Sequence, residues 1–326
     1  MHDLTSTFVS RSLFPTTSPQ LRLRPRSSSV VPMTVCMDKQ RKEKVVVIMG
    51  ATGTGKSRLS VELATRFSGE IINSDKMQVY NGLDIATNQI TILERCGVPH
   101  HLLGHLPPDY GELTASNFRC LASRSISDIA SRGKLPIIAG GSNSFIHALL
   151  VDRYNPETNP FVYGSLVSSD LRYDCCFLWV DVSVSVLYHY LSTRVDQMME
   201  SGMFEELAGF YNPRDNRTGI YKAIGVPEFD WYFRVYPPEN NNNDKACEWD
   251  TARKAAYEEA VQEVKENTWL LAKKQIERIM QLRSSGWEIQ RLDATGAFKA
   301  SLRDEVWENN VLEECVKIVK RFLLKD

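Results

Sequence analysis

The residues best suited to do chemistry in this sequence form one glycine-rich stretch between an apolar run, Val45 to Met49, and a helical pattern. The stretch, called the P-loop below, matches the phosphate-binding pattern G-x-x-x-x-G-K-[ST] and consists of Gly50, Ala51, Thr52, Gly53, Thr54, Gly55, Lys56 and Ser57. Its glycines let successive backbone N–H groups turn toward a phosphate, and the following helix adds its positive dipole. Lys56 adds a full charge, and the Ser57 hydroxyl could bind Mg²⁺. The stretch therefore predicts a binding site for a diphosphate.

A carboxylate and a second glycine-rich turn are expected beside the P-loop. The pattern from Glu70 to Ser74 is typical of a short strand and ends at Asp75, which would place a carboxylate at the ligand-binding edge of a parallel sheet. A second buried strand pattern, Leu135 to Ala139, runs directly into Gly140, Gly141 and Ser142. Missing side chains in that turn would let the backbone approach a ligand. A tight turn between a strand and a helix explains the same glycines equally well.

Alternating strands and helices predict the fold that positions these groups. After the P-loop, apolar residues recur at helical spacing up to Gly69, which is expected to end that helix; they are Leu59, Leu63, Ala64 and Phe67. Phe118 to Ser131 predicts another helix, and Cys176 to Val180 a further strand. A last strand, Trp287 to Leu292, and a helix, Val311 to Leu324, follow near the end of the chain. The alternation predicts an α/β fold with a P-loop NTPase-like parallel sheet flanked by helices.

The sequence also predicts how the chain is divided. Residues 41–182 and 286–326 are expected to form the P-loop α/β core, and residues 183–285 an inserted helical, substrate-binding region. Within that region, Glu239 to Asp244 is polar and asparagine-rich, which indicates a surface loop. Residues 77–118 carry many turn residues and predict functional loops over the site.

Composition limits the classes of function. The chain has 326 residues, of which 43% are hydrophobic, and a net charge of −1, so it can bury a core but offers no bulk basic surface for long nucleic acid. Its seven cysteines include no C-x-x-C pair, and three nearby histidines do not suggest zinc by themselves; they are His100, His101 and His105. No apolar run approaches the roughly 20 residues of a membrane span. We therefore expect a globular protein without a zinc site or a membrane partner.

The first 40 residues have the composition of an organelle transit peptide. They are rich in serine and threonine, carry Arg11, Arg22, Arg24 and Arg26, and include only Asp3 and Asp38 as acids. They lack the compact apolar segment of a secretory signal. Plastid localisation is therefore predicted, and an ordinary disordered tail on a cytoplasmic protein is the alternative.

Several further motifs extend over residues 44–285 and carry a family resemblance. Besides the P-loop, these are Ser74 to Tyr80, Asp84 to Asn88, Pro99 to Leu103, Gly140 to Ser144 and Lys222 to Glu228. In this combination and order the sequence resembles the isopentenyltransferases, most closely the plant adenylate isopentenyltransferases that make cytokinins. The resemblance implies transfer of a dimethylallyl group from dimethylallyl diphosphate to the N6 amine of ATP, ADP or AMP. A monomer that uses Mg²⁺ and does not act on tRNA is expected.

The residues fit that chemistry. The adenine N6 amine is a poor nucleophile and benefits from a carboxylate that accepts its proton, for which Asp75 is the candidate. Lys56 and Mg²⁺ on Ser57 would stabilise charge growing on the departing diphosphate. By resemblance, Thr52 and Arg194 lie at positions that contact the reacting groups. The same resemblance assigns four residues to stretches that bind phosphate, namely Lys222, Lys273, Lys274 and Arg278.

Three positions depart from the family pattern, and three other functions stay open. Gln89, His147 and Tyr221 stand where lysine, glutamate and arginine are usual, which bears on acceptor affinity rather than on the reaction. A tRNA dimethylallyltransferase would share Asp75 and the P-loop, but only 25 residues separate Leu150 from Cys176, where that family carries a large insert. A P-loop small-molecule kinase and a nucleotide-binding module without chemistry are the remaining alternatives.

Overall fold

The protein is built on one parallel sheet. The computed structural model describes residues 42–162, 167–212, 218–238, 250–300 and 303–325. Within these ranges six parallel strands form a sheet in the order β3-β2-β4-β1-β5-β6. The strands are β1 (Lys44–Met49), β2 (Gly69–Asn73), β3 (His100–His101), β4 (Leu135–Ala139), β5 (Asp174–Asp181) and β6 (Ile289–Asp293). The predicted α/β fold with a parallel P-loop sheet is confirmed.

Helices connect the strands and cover the sheet. In the described ranges they are α1 (Lys56–Phe67), α2 (Ala115–Ser131), α3 (Asn143–Leu150), α4 (Val184–Glu200), α5 (Met203–Phe210), α6 (Val226–Val235), α7 (Thr251–Ser284), α8 (Thr295–Lys299), α9 (Arg303–Trp307) and α10 (Glu313–Leu324). Short 3-10 turns span Pro108–Tyr110 and Gly219–Lys222, and a π-helical turn, Glu308–Leu312, joins α9 to α10. None of these helices combines the length and the apolar character needed to cross a lipid bilayer.

Alternate residues of β1 pack into two separate apolar clusters. Val47 belongs to the cluster that contains Phe118 of α2, whereas its neighbour Ile48 belongs to the cluster that contains Leu59 of α1. All four side chains are fully buried. Because successive side chains of a strand point to opposite faces, a strand covered on both faces must be apolar throughout. This explains why β1 is an unbroken apolar run. Packing on both faces holds the strand in place, and the P-loop starts directly after its last residue.

The first helix ends differently from the prediction. It ends at Phe67, and the next residue, Ser68, adopts the left-handed conformation with φ of 51°. Gly69 does not end the helix but begins β2, where a Cβ atom would lie 2.8 Å from the carbonyl oxygen of Leu135 on β4. The glycine is thus required by close strand packing and not by a helix cap, so that prediction was wrong.

Residues 77–118 consist mostly of loops, as the turn residues predict. The exceptions are the two-residue strand β3, the 3-10 turn and the start of α2. That helix begins at Ala115, three residues before the predicted Phe118, because Thr114 caps it: the Thr114 hydroxyl oxygen accepts a hydrogen bond from the Asn117 backbone N–H at 3.1 Å.

Helices α4 to α7 lie between β5 and β6 in the chain, in the segment predicted to be an inserted helical region. The longest of them, α7, has 34 residues and is therefore about 50 Å long. The described residues belong to one compact unit, Lys42–Asp326. The assignment of residues 183–285 as a substrate-binding region stays a prediction. The predicted transit peptide and the predicted loop from Glu239 to Asp244 lie outside the described residues.

Candidate active site

One cavity of about 750 Å³ brings most of the predicted site residues together. Its lining comes from the loops that follow β1, β2 and β4, from 77–118, and from α4 and α7. This is the carboxyl edge of the sheet, where parallel α/β proteins bind ligands. The predicted residues that line the cavity are Thr52, Gly53, Gly55, Lys56, Ser57, Asp75, Gly140, Gly141, Ser142, Arg194, Lys222, Lys274 and Arg278.

Four predicted site residues do not line the cavity: Gly50, Ala51, Thr54 and Lys273. The first three shape the P-loop from within. A Cβ atom on Gly50 would lie 2.6 Å from the Val180 carbonyl oxygen, and the buried Thr54 hydroxyl donates to the Ala51 carbonyl at 3.0 Å. Lys273 is exposed on α7, outside the lining. For this lysine the structure gives no support to the predicted phosphate contact.

The P-loop holds its lysine in a half-buried and poorly compensated position. Gly53 and Gly55 adopt φ of 81° and 93°, which favour glycine, and α1 begins at Lys56. The Lys56 Nζ atom donates to the Ala51 carbonyl oxygen at 2.6 Å. Burial lowers the pKa of Lys56 to about 8; the charge of Asp75 opposes the shift and that of Arg194 adds to it. An anionic diphosphate would supply the counter-charge that this lysine lacks.

Arg194 of α4 reaches across the cavity to the P-loop. Its Nη2 atom donates to the Thr52 hydroxyl oxygen at 2.9 Å, although the two residues are 142 positions apart. Its Nε atom is buried and has no hydrogen-bond partner within the described chain. Burial lowers the pKa of this guanidinium against the opposing influence of Tyr190 and Asp75. The pair therefore leaves a donor available for an anionic ligand.

Asp75 is held at the end of β2 by its own backbone turn. Asn73 brackets it: the Asn73 Oδ1 atom accepts from the Asp75 backbone N–H at 3.0 Å, and the Asn73 Nδ2 atom donates to the Asp75 carbonyl at 3.1 Å. The Asp75 Oδ1 atom accepts from the Met77 backbone N–H at 3.1 Å. One carboxylate oxygen is therefore fixed by the turn, while the residue lines the cavity.

The glycines after β4 allow their turn to pack against the Asp75 turn. A Cβ atom on Gly140 would lie 2.4 Å from the Ser74 carbonyl carbon, and one on Gly141 would lie 2.3 Å from Gln275 Nε2 and 3.6 Å from Asp75 Oδ2. The Ser142 hydroxyl oxygen accepts from the Lys76 backbone N–H at 2.9 Å. These glycines are required by close protein contacts, and they also line the cavity.

Sequence reasoning missed Gln275, which connects α7 to the P-loop. Its side chain is almost fully buried, and its Oε1 atom accepts from the Thr52 backbone N–H at 2.7 Å. Its own carbonyl oxygen accepts from Asn143 Nδ2 at 3.1 Å. A signal was present, because Gln275 lies at helical spacing between the buried residues Ala272 and Ile279.

Glu112 was also missed, and no short motif marks it. Its carboxylate forms ion pairs with Lys76 and with Lys222, the latter at 2.8 Å, and it accepts from the Gly219 backbone N–H at 3.1 Å. Burial alone would raise the pKa of this carboxylate, but the donors, Lys222 foremost, hold it at about 2. The predicted phosphate-binding residue Lys222 is therefore already paired.

Contacts within the protein involve two other predicted features, the motif from Lys222 to Glu228 and the residue Arg278. In the motif from Lys222 to Glu228, the Glu228 carboxylate accepts from the Gly225 backbone N–H and from Asn267 Nδ2, each at 2.7 Å, which caps α6 and ties it to α7. Arg278 lies 5.0 Å from the centre of the Phe161 ring, and burial lowers its pKa.

The three family departures lie in different settings. His147 is buried outside the cavity lining, stacks on Trp287, and has its pKa lowered to about 4 by burial and by Arg119. It is therefore neutral at physiological pH. The Gln89 Nε2 atom donates to the Tyr80 carbonyl oxygen at 3.0 Å, and Tyr221 packs on a phenylalanine ring. Their effect on acceptor affinity stays a prediction.

The residues present fit Mg²⁺ bound mainly through substrate. The described residues contain no group of three or more His, Cys, Asp and Glu side chains that could hold a metal. Mg²⁺ usually keeps several waters and takes one or two protein ligands together with substrate phosphate oxygens. Ser57 is exposed in the cavity lining beside Lys56 and could supply such a ligand.

The sequence is similar to a known family and to several named proteins. The family model described as IPP transferase matches residues 78–166 and 163–280. "Adenylate isopentenyltransferase 8, chloroplastic" of Arabidopsis thaliana is 70% identical over 100% of this chain and 99% of its own length. "Adenylate isopentenyltransferase" of Humulus lupulus is 56% identical over 85% of this chain and 89% of its own.

Two solved structures share the fold. A eukaryotic dimethylallyltransferase acting on tRNA has a TM-score of 0.70 and 26% identity, covering 86% of this chain and 79% of that one. A tRNA isopentenylpyrophosphate transferase of Staphylococcus epidermidis has a TM-score of 0.67 and 24% identity, covering 86% of this chain and 100% of that one. The relatives with 56% to 70% identity carry the adenylate name, and the more distant structures carry the tRNA name. The chain belongs to the IPP transferase family, as its motifs predict, and its place in that family is with the adenylate isopentenyltransferases.

Proposed function

We propose that this enzyme transfers the dimethylallyl group of dimethylallyl diphosphate to the N6 amine of ATP, ADP or AMP, a step of cytokinin biosynthesis. The observation that carries the proposal is the convergence of Asp75, Lys56 and the Arg194–Thr52 pair on one cavity. The first is a proton acceptor, and the others are cationic or hydroxyl groups suited to a diphosphate. The adenylate names of relatives up to 70% identical support the choice of acceptor.

On the acceptor side, the N6 lone pair forms a bond to C1 of the prenyl group as the N6 proton passes to Asp75. The lone pair is delocalised into the adenine ring, so the amine gains nucleophilicity only as the proton leaves. Asp75 suits this role because Met77 and Asn73 fix its turn while its carboxylate reaches the cavity.

On the donor side, the C1–O bond breaks and the diphosphate departs with the bonding electrons. Negative charge grows on that leaving group, where the P-loop amides, Lys56 and Arg194 would stabilise it. Lys56 and Arg194 are both held in surroundings that disfavour their charge until an anion arrives. Because the negative charge of the diphosphate grows as the C1–O bond breaks, both cations would interact more strongly with the transition state than with the bound substrate. When bound, Mg²⁺ on Ser57 would neutralise further diphosphate charge.

The acceptor can be tested directly. Purified enzyme is incubated with labelled dimethylallyl diphosphate, Mg²⁺, and equal concentrations of ATP, ADP, AMP or unmodified tRNA. We expect the free nucleotides to be prenylated much faster than tRNA. Faster labelling of tRNA would establish the tRNA alternative, and phosphate transfer without prenylation would indicate the kinase. Omitting Mg²⁺ in the presence of a chelator tests the cofactor, with loss of turnover expected.

We further propose that the enzyme acts as a monomer in plastids. The arginine-rich, acid-poor leader supports a plastid address, and relatives that are 70% and 59% identical carry the word chloroplastic in their names. A fusion of residues 1–40 to a fluorescent protein should enter plastids, and diffuse cytosolic fluorescence would contradict the proposal. Removing these residues should leave activity intact because β1 starts at Lys44. Light scattering of the purified enzyme tests the monomer.

A further inference from the structure

We propose that Glu112 sets acceptor specificity by placing a fixed negative charge between two lysines of the cavity lining, Lys76 and Lys222, where the acceptor phosphates would bind. The inference rests on the proposed function, since it concerns the acceptor of the same reaction. Glu112 itself is not part of the cavity lining, but both of its lysine partners, Lys76 and Lys222, are.

Glu112 and its two lysine partners come from different parts of the chain. Lys76 follows the candidate base Asp75, whereas Lys222 ends the 3-10 turn of the helical segment. Glu112 therefore joins the loops of the core to the helical segment at the cavity rim. Lys222 is about half exposed and Glu112 about one-third exposed, so a nucleotide phosphate can reach this cluster from solvent.

Hydrogen bonds hold the backbone on both sides of Glu112. The hydroxyl group of Tyr80 donates to the Gly111 carbonyl oxygen at 2.7 Å and accepts from the Leu113 backbone N–H at 2.8 Å. Both Tyr80 and Leu113 are fully buried. The carboxylate also accepts from the Gly219 backbone N–H. Glu112 is therefore anchored and would remain beside Lys222 when a nucleotide binds.

Glu112 lowers the positive charge at the cavity rim. Two lysines and one carboxylate leave one net positive charge at the rim where two lysines alone would leave two. An acceptor phosphate that contacts Lys222 is attracted by the ammonium group and repelled by the Glu112 carboxylate. The repulsion grows with the charge of the phosphate chain, from AMP to ADP to ATP. Glu112 therefore restrains the binding of polyphosphate acceptors more than that of the monophosphate.

Steady-state kinetics with Glu112→Gln test this directly. The substitution keeps shape and one acceptor oxygen but removes the charge. We expect the KM for ATP to fall about tenfold, that for ADP by less, and that for AMP by about twofold at low salt. The KM for dimethylallyl diphosphate should stay the same, because the donor binds at the P-loop. The decrease in the KM for ATP should largely disappear in about 1 M salt, where the Debye length is roughly 3 Å.

Two further variants test whether the charge of Glu112, and not its side-chain shape, changes the nucleotide KM values. Glu112→Asp shortens the side chain but retains the negative charge, so the ratio of the KM values for AMP and ATP should stay close to that of the parent. Asp109→Asn is the matched control: it removes one carboxylate from an exposed position in the same loop that does not line the cavity. This control should leave all nucleotide KM values unchanged.

The inference is overturned if Glu112→Gln leaves the three nucleotide KM values unchanged or raises them by a common factor, since the residue would then act only as a structural tie. Failure of the proposed function looks different, because the parent enzyme would then label no free nucleotide. In that event calorimetric binding of ATP and AMP to the parent and to Glu112→Gln still decides the question. Equal ratios of ATP to AMP affinity in the two proteins would reject the role of Glu112.

Discussion

Two groups of cations face the same cavity but are prepared for anions in opposite ways. At the P-loop, Lys56 and Arg194 are partly buried, desolvation lowers the pKa of each, and the buried Arg194 Nε atom lacks a partner in the described chain. At the rim, Lys222 is about half exposed and Lys76 about one-third exposed, and both lysines pair with the carboxylate of Glu112.

The difference bears on the proposed separation between the donor diphosphate and the acceptor phosphates. A buried and uncompensated cation interacts strongly with charge that develops nearby, because little solvent screens the interaction. An exposed cation that already has a counter-ion contributes little binding energy by itself. This contrast supports the roles proposed above, in which the P-loop group stabilises the diphosphate leaving group and the rim group selects the acceptor.

The largest effect should come from Asp75→Asn, which tests whether proton transfer is separate from the buried cations. Asparagine keeps the shape and one acceptor oxygen but cannot take a proton at neutral pH. We expect kcat to fall by about two to four orders of magnitude, the range that general base catalysis supplies, with donor affinity little changed. Single-turnover assays and direct donor binding measure the two quantities. Normal turnover would show that the base lies elsewhere.

Lys56→Ala removes a charge that would touch the diphosphate in both the ground state and the transition state. Donor binding and turnover should therefore both suffer, with a loss of about two orders of magnitude in kcat/KM. Comparison with Asp75→Asn gives the division of labour. If Lys56→Ala bound donor as well as the parent did, the P-loop would instead serve a nucleotide.

Arg194→Lys retains the charge but loses the planar fork that reaches Thr52. We expect kcat to fall by roughly ten- to a hundredfold with smaller changes in donor affinity. The reason is that the Arg194 Nε donor, which has no partner in the described chain, would contact the diphosphate mainly as negative charge develops on it. The matched rim change, Lys222→Arg, should alter nucleotide KM values and leave kcat nearly constant. Equal loss of kcat in both variants would erase the distinction between the two groups.

Donor affinity should depend on pH through Lys56. In the free enzyme the pKa of Lys56 is lowered to about 8, and an anionic donor would raise it again. Below pH 8 the lysine is already charged, so affinity should be flat; above pH 8 binding requires proton uptake, so affinity should fall by up to about tenfold per pH unit. Calorimetry in buffers of different ionisation enthalpy measures the uptake. In Lys56→Ala the slope should vanish, and an unchanged slope would assign it to another group.

The smallest effect is expected from Gln275→Met, which tests the support of the buried group. The change leaves the Thr52 backbone N–H without its partner at 2.7 Å and should lower the free energy of unfolding by about 1 to 3 kcal/mol. Gln281→Met, at an exposed position of the same helix, is the control and should change it by less than about 0.5 kcal/mol. Denaturant titration measures both. Equal values for the two variants would show that water replaces the lost hydrogen bond.

Local sequence was sufficient to predict that residues of the P-loop and Asp75 line one cavity. The P-loop is a contiguous motif whose glycines and lysine define their own geometry, and Asp75 follows its strand directly. Because parallel strands present their carboxyl ends at one edge, strand assignment alone places Asp75 near Lys56. The same reasoning predicted the sheet and most of its helices, but it misassigned Gly69, whose role depends on the neighbouring strand.

Only the tertiary structure decided which distant residues join that site. Gln275 meets Thr52 across 223 positions, and Glu112 meets Lys222 across 110. The helical spacing of Gln275 indicates its burial but not its partner, and Glu112 has no local signal, because both contacts depend on how α7 and the loops pack on the sheet. Neighbouring lysines show the same limit. Lys274 lines the cavity while Lys273 does not, because one residue turns a helix by about 100° and packing fixes which side faces inward.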